Sequence, residues 1–247
     1  MKQFLLAMAV LIFVGQMALA TTTDQMRLTV GSVTCTFSDN TNTTCTDIPS
    51  GTSLNGDFNP ANGKMNASGT IGGWEIDISG GTSHSPNTQQ PVFGLDLTVV
   101  SATCTGGDCT TTPLHVSYTD MDFNNPAIVF AEGFRHHYSA NISGDGTTTG
   151  SAYYDNGDVN FTESVLINAI GPFSDPGGAN TLLGPPAGTA LALYSMTLDD
   201  VFTSAGTGTS FSTDDSITAN VPEPVAVALF GTVIALCASR LRRRKTV

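Results

Sequence analysis

Apolar and polar residues alternate along the chain in short runs separated by turn-forming residues. Trp74, Ile76 and Ile78 are interleaved with Glu75, Asp77 and Ser79, giving one apolar and one wet face. Phe93, Leu95, Leu97 and Val99 alternate with Gly94, Asp96 and Thr98, and Leu114, Val116 and Tyr118 with His115, Ser117 and Thr119. Val159, Phe161, Val165 and Ile167 share one parity, which Glu163 interrupts. Near the start, Met26, Leu28 and Val30 are even whereas Val33, Cys35 and Phe37 are odd, so a bulge or tight bend is expected at Gly31. A period of two is that of a strand with one buried face. Repeated at short intervals, it predicts an all-β fold, an antiparallel β-sandwich or jelly roll, over residues 21–220. No amphipathic helix longer than a turn or two and no internal repeat is visible there.

Composition narrows the function. The 247 residues include 26 Gly and 12 Pro, and only 9 Lys+Arg against 21 Asp+Glu. Between residues 21 and 221 the only cations are Arg27, Lys64 and Arg135, facing 20 carboxylates. Such a surface repels phosphate backbones, which excludes nucleic acid as a partner.

The ends carry different signals. Residues 1–20 combine Lys2, an apolar run from Phe4 to Val14 and the small-residue ending Ala18-Leu19-Ala20. That is a secretory signal peptide, with cleavage expected between Ala20 and Thr21. At the other end Pro222-Glu223-Pro224 precedes an apolar stretch, residues 225–239, and a basic tail over 240–247 containing Arg240, Arg242, Arg243, Arg244 and Lys245. Fifteen helical residues rise about 22 Å, short of a hydrocarbon core of about 30 Å, so the predicted transmembrane helix is a short one. The cations would stop transfer and stay cytoplasmic. The two prolines remove N–H donors and hold Glu223 extended, so the helix cannot continue outward.

This ordered tail, residues 221–247, together with the N-terminal signal, resembles the PEP-CTERM sorting signal of Gram-negative bacteria. The resemblance implies an exosortase-type membrane protease as partner, reading Pro222, Glu223 and Pro224. It also implies export through the inner membrane, single-pass anchoring that is transient or permanent, and a final place on the cell surface or outside the cell. Bacteria with such proteins make exopolysaccharide, so association with exopolysaccharide or biofilm is implied.

Four cysteines lie in the exported segment. Cys35 with Cys45 and Cys104 with Cys109 each bracket a short loop, and in an oxidising compartment local pairing is the natural expectation among three connectivities. Zinc is a poor rival, because paired C-x-x-C knuckles are missing. Asp120 and Asp122, and Asp155 and Asp158 around Gly157, place oxygen donors on alternate residues in a way that suits calcium. The same residues suit ordinary β-turns, and no other cofactor is indicated. Glu132–Tyr138 gathers an acid, a cation, two imidazoles and a phenol, yet on a strand His136 and His137 point to opposite faces and cannot share a metal. The expected role there is a solvated strand or loop. His84 and His115 are isolated, and no serine stands in a nucleophile elbow. The expectation is a non-enzymatic surface or matrix protein. The alternatives are a carbohydrate-binding module on a single-pass membrane protein and a secreted hydrolase. Trp74 sits on an apolar parity and is expected in the core, leaving Tyr138, Tyr153 and Tyr154 available to stack on sugar.

Overall fold

The computed structural model describes residues 24–39, 44–46, 52–57, 63–83, 94–123, 133–183 and 193–219. The signal segment, the Pro222–Pro224 motif, the apolar stretch 225–239, the basic tail, His84, Phe93 and Glu132 lie outside them. Among the described residues no helix is long and apolar enough to cross a membrane.

Among the described residues fourteen strands make two seven-stranded antiparallel sheets. In chain order they are β1 Gln25–Val30, β2 Val33–Ser38, β3 Thr44–Thr46, β4 Ser53–Asn55, β5 Lys64–Ile71, β6 Trp74–Ser83 and β7 Gly94–Cys104. After a 3₁₀ turn at Gly107–Thr110 follow β8 Leu114–Phe123, β9 Phe134–Ser143, β10 Gly146–Asp155, β11 Val165–Phe173, β12 Gly177–Leu183, β13 Tyr194–Ser204 and β14 Ser210–Ala219. The first sheet runs β11-β10-β13-β8-β1-β2-β3 and the second β12-β9-β14-β7-β6-β5-β4.

The period-two reading holds for most strands. β6 buries Trp74, Ile76 and Ile78 and exposes Glu75, Asp77 and Ser79, as a half-buried strand must. Trp74 is wholly buried, its ring 6.0 Å from that of Phe211 and its Nε1–H donated to the Thr112 carbonyl at 3.2 Å. The change of phase at Gly31 is a tight turn: Val30 pairs with Val33, and Gly31 takes φ +60°. Gly72 and Gly73, with φ +53° and +81°, close β5 onto β6 in the same two-residue way. Both turn positions have positive φ, which glycine adopts at least cost and which matches strand twist.

Two runs depart from strict alternation. In β7 the pairing with β14 steps from Thr98 to Val100, so residue 99 is extra and the buried set shifts from Leu95 and Leu97 to Val100, Ala102 and Cys104. A bulge of this kind moves every later side chain to the other face, which the sequence run through Val99 did not announce. The Val159–Ile167 run is not one strand. β11 begins only at Val165, Val159 is 53% exposed and Phe161 has φ +56°, so residues 156–164 form a loop and Glu163 points to solvent.

Both local disulfides are present, Cys35–Cys45 and Cys104–Cys109. Cys35 and Cys45 are directly paired across β2 and β3, and the second bridge closes the loop that carries the chain from β7 to β8. The main core runs between the sheets from Met26 to Ala219, and a smaller cluster of Tyr138, Ala140 and Ile170 stands apart from it.

Candidate functional site

The outward side chains of β8, β13, β10 and β1 fall into register across the first sheet. Ser151 lies beside Asp199, Asp199 beside Ser117, and Ser117 beside Arg27; two residues along, Val201, His115 and Thr29 form the next row. The loop 156–164 folds over part of this face. Phe161 N–H donates to Thr119 Oγ1 at 3.3 Å, Ser195 Oγ–H donates to the Val159 carbonyl at 2.8 Å, and the Arg27 guanidinium sits 4.3 Å above the Phe161 ring. With the loop's Glu163, a polar shelf remains in which Arg27, His115 and Tyr153 are partly exposed over the buried Ser117 and Asp199.

Asp199 organises the shelf. Ser117 Oγ–H donates to its Oδ1 at 2.7 Å, and His115 Nδ1 lies 3.3 Å from its Oδ2. The hydrogen bond to Asp199 holds the His115 imidazole above its ordinary value, with burial opposing and the charges of Asp199 and Glu163 adding to it. Burial raises the Glu163 carboxyl, with Asp199 adding to it and Arg27 and His115 countering. Tyr153 is partly exposed and is likewise raised by burial, feeling both Glu163 and Asp199. The serine donates to the aspartate rather than to the histidine, so these three do not stand in the order of a Ser-His-Asp relay. What the shelf offers is a set of donors and acceptors on the same face as the partly exposed Tyr153 ring.

The other tyrosines are not available for stacking. Tyr138 and Tyr154 are 0% and 1% exposed. Tyr138 stacks on Phe173 and its hydroxyl shares a 2.5 Å hydrogen bond with Thr148 Oγ1. His136 also lies inside, contrary to the expected solvated strand or loop. Its Nε2 is 2.8 Å from Asp215 Oδ1, and Asn168 Nδ2 is 3.3 Å from Nδ1, where it can donate. One donating and one accepting ring nitrogen is the pattern of a neutral imidazole, and burial pushes His136 down to about 4. Asp200 accepts from Thr213 Oγ1 at 2.6 Å and faces Asp215; both carboxyls are driven well up, first by burial. This acid pair with an imidazole is wholly buried and cannot meet a substrate. His136 escaped the sequence reading because its neighbours in sequence are polar; only its even parity with Phe134 and Tyr138 hinted at the core.

The calcium candidates separate. Asp122 N–H, near the end of β8, donates to Asp158 Oδ1 at 2.8 Å, and both residues have positive φ. Asp155 instead accepts from Ser164 Oγ at 2.6 Å. Asp120 turns inward and joins Asp24 and Asp39, which the sequence did not single out. Among the described residues no group of three or more His, Cys, Asp or Glu side chains could hold a metal ion.

No protein-family model matches the chain, and no curated protein matches it. Among solved structures, the enzymatically active domain of bacteriophage CBA120 tailspike protein 4 overlaps with 58% of the chain at 12% identity and a TM-score of 0.29; the chain spans 19% of that protein. The carbohydrate-binding module TmCBM61 in complex with β-1,4-galactotriose overlaps at 9% identity and a TM-score of 0.27, covering 68% of this chain and 88% of that one. A structure from work on promiscuous carbohydrate-binding modules of the β-sandwich superfamily overlaps at 11% identity and a TM-score of 0.29, covering 76% and 82%. Overlap at this level carries no argument about ligand or activity.

Proposed function

We propose that the chain is a non-catalytic, exported protein of the cell surface or extracellular matrix that holds exopolysaccharide on the outer face of its first sheet. An exosortase-type protease would sort it by the Pro222–Pro224 tail. The observation that carries the reading is the shelf itself: Tyr153 beside Glu163 and Asp199, with His115 and Arg27 acting on that Glu163 on the same face. A tyrosine face gives apolar area to the C–H side of a sugar ring, while carboxylate, imidazole and guanidinium exchange hydrogen bonds with hydroxyls. A non-catalytic role fits the Ser117–Asp199 bond, which leaves His115 without a nucleophile to activate, and the sealed position of Asp200 and Asp215.

The test is retention of the purified protein on the producer's own polysaccharide. Tyr153→Ala and His115→Ala should each lose retention while melting at the wild-type temperature. Wild-type retention by both variants would remove the shelf from the binding surface, and failure of the wild-type protein to be retained would remove the polysaccharide.

A further inference from the structure

The turn that leaves β10 reads Asp155-Asn156-Gly157-Asp158. Asn-Gly is a common turn pair, and this turn closes with Asp158 N–H donating to the Asp155 carbonyl at 3.4 Å. Gly157 is exposed and Asn156 half-buried, so water reaches the pair. Asp155 itself is 7% exposed, and its Oδ1 is anchored by Ser164 Oγ–H at 2.6 Å. Its other oxygen, Oδ2, is buried and has no hydrogen-bond partner. That oxygen lies against Gly157, 2.8 Å from where a Cβ would stand, so an alanine there would crowd it.

A buried carboxylate oxygen without a donor is costly and needs a reason. The chemistry next to it supplies one. The main-chain nitrogen of Gly157 can close a succinimide ring on the side-chain amide carbon of Asn156. A glycine puts no Cβ in the way of that closure.

We propose that Asn156–Gly157 is a site of self-modification, at which Asn156 loses its amide with Asp155 acting as the base. Gly157 N–H passes its proton to Asp155 Oδ2 while the nitrogen attacks Asn156 Cγ. The N–Cγ bond forms, the Cγ–Nδ2 bond breaks, and the proton held by Asp155 leaves with the amide as ammonia. Water then opens the succinimide at either carbonyl, giving aspartate or, with the main chain routed through the side chain, isoaspartate. Water is the only co-reactant and ammonia the only other product. The new carboxylate stands between Asp155 and Asp158, the residue that holds Asp122 N–H at 2.8 Å, and like charges so close repel. Isoaspartate also lengthens the turn from which loop 156–164 springs. That loop is held to the first sheet through Phe161 and Val159, so the modification would loosen its cap over the polar face, whatever that face binds.

The experiment follows the purified full chain at neutral pH, folded and in guanidinium chloride, by peptide mapping with mass detection and by isoaspartyl methyltransferase labelling. In the folded wild-type protein the peptide carrying Asn156 should convert to aspartyl and isoaspartyl forms, and faster than in the unfolded chain. Asp155→Ala should slow conversion in the folded state by about a hundredfold, the lower end of what a positioned base contributes. In guanidinium chloride, where nothing aligns the carboxyl, the two proteins should convert alike. Conversion in folded wild type no faster than in the unfolded chain overturns the proposal, and that comparison needs no variant. Equal folded rates in wild type and Asp155→Ala overturn it too.

Discussion

At Gly150 the backbone of β10 lies directly against an aromatic ring of the opposite sheet, and replacing it by alanine should be costly. A Cβ there would lie 2.2 Å from Tyr138 Cδ2 and 2.6 Å from Cε2. Carbon–carbon contact needs about 3.5 Å, so the ring and the strand must separate by roughly 1.3 Å. The ring cannot simply move aside. It lies nearly parallel to Phe173 at 6.1 Å between centroids, its hydroxyl is bonded to Thr148, and it is fully buried. β10 is also held on both sides, Gly150 pairing with Asp200 on β13 and Ile170 on β11. Overpacking of this kind costs about 1–3 kcal/mol, and losing the Tyr138–Thr148 bond adds about 1 kcal/mol. The sum, about 2–4 kcal/mol, corresponds in a domain of this size to a fall of roughly 5–15 °C in melting temperature. Urea denaturation of wild type, Gly150→Ala, Tyr138→Leu and the double variant isolates the contact. In the Tyr138→Leu background the cost of alanine should shrink by about 1 kcal/mol or more. A Gly150→Ala protein within about 0.5 kcal/mol of wild type, or an undiminished cost in the double variant, would refute the reasoning.

Three further outcomes are expected. Replacing Cys35 and Cys45 together by alanine reopens a loop with a sequence separation of 10 and should cost about 3 kcal/mol in urea titrations; an unchanged midpoint would mean the bridge constrains nothing. Asp200 and Asp215 have raised folded-state values, so their stabilisation is complete below about pH 4 and is lost as pH rises through those values, whereas neutral His136 loses its contribution only as pH falls from about 6.5 toward 4. The stability carried by this pair should therefore fall as pH rises above about pH 4, by up to about 1.4 kcal/mol per unit per proton, and Asp200→Asn should flatten that slope; an identical slope in the variant would exclude the pair as its source. Intact-mass analysis from the native host should find a chain beginning at Thr21 and lacking Arg240–Val247, with Glu223→Ala left unprocessed; a mature mass that keeps the tail would refute sorting.

The fold was legible wherever burial alone sets the pattern. β1, β2, β6 and β8 carry one apolar face each, and pairing registers follow from it. The same rule failed at residue 99, because a bulge is a choice between two strands and leaves no mark on one of them. It failed again at Val159–Glu163, where apolar residues on one parity serve a loop that caps polar side chains. The site was legible only in part. His115 and Ser117 were visible as the wet face of a strand, but Asp199 lies 84 residues from His115 and only sheet pairing brings them together. Asp24 and Asp39 were ordinary acids in an acidic chain until the register aligned them with Asp120. The cysteine pairs were readable because their loops are short, and short-range closure needs no knowledge of topology.

The strand order constrains when the protein can fold. β14, the last strand among the described residues, is not at a margin: it lies between β9 and β7 and joins the two halves of the second sheet. β13 does the same for the first sheet, between β10 and β8. A chain emerging from its N-terminus can close hairpins such as β1–β2 or β5–β6, but it cannot complete the second sheet until Ser210–Ala219 has appeared. Long-range pairing of this kind makes assembly slow relative to local hairpins. If the chain is exported as proposed, topology fixes the order of events: translocation would run nearly to the end of the sandwich before it can shut. A chain that stops short of β14 leaves β7 and β9 each with an open hydrogen-bonding edge, which exposes incomplete products to proteolysis and spares finished ones.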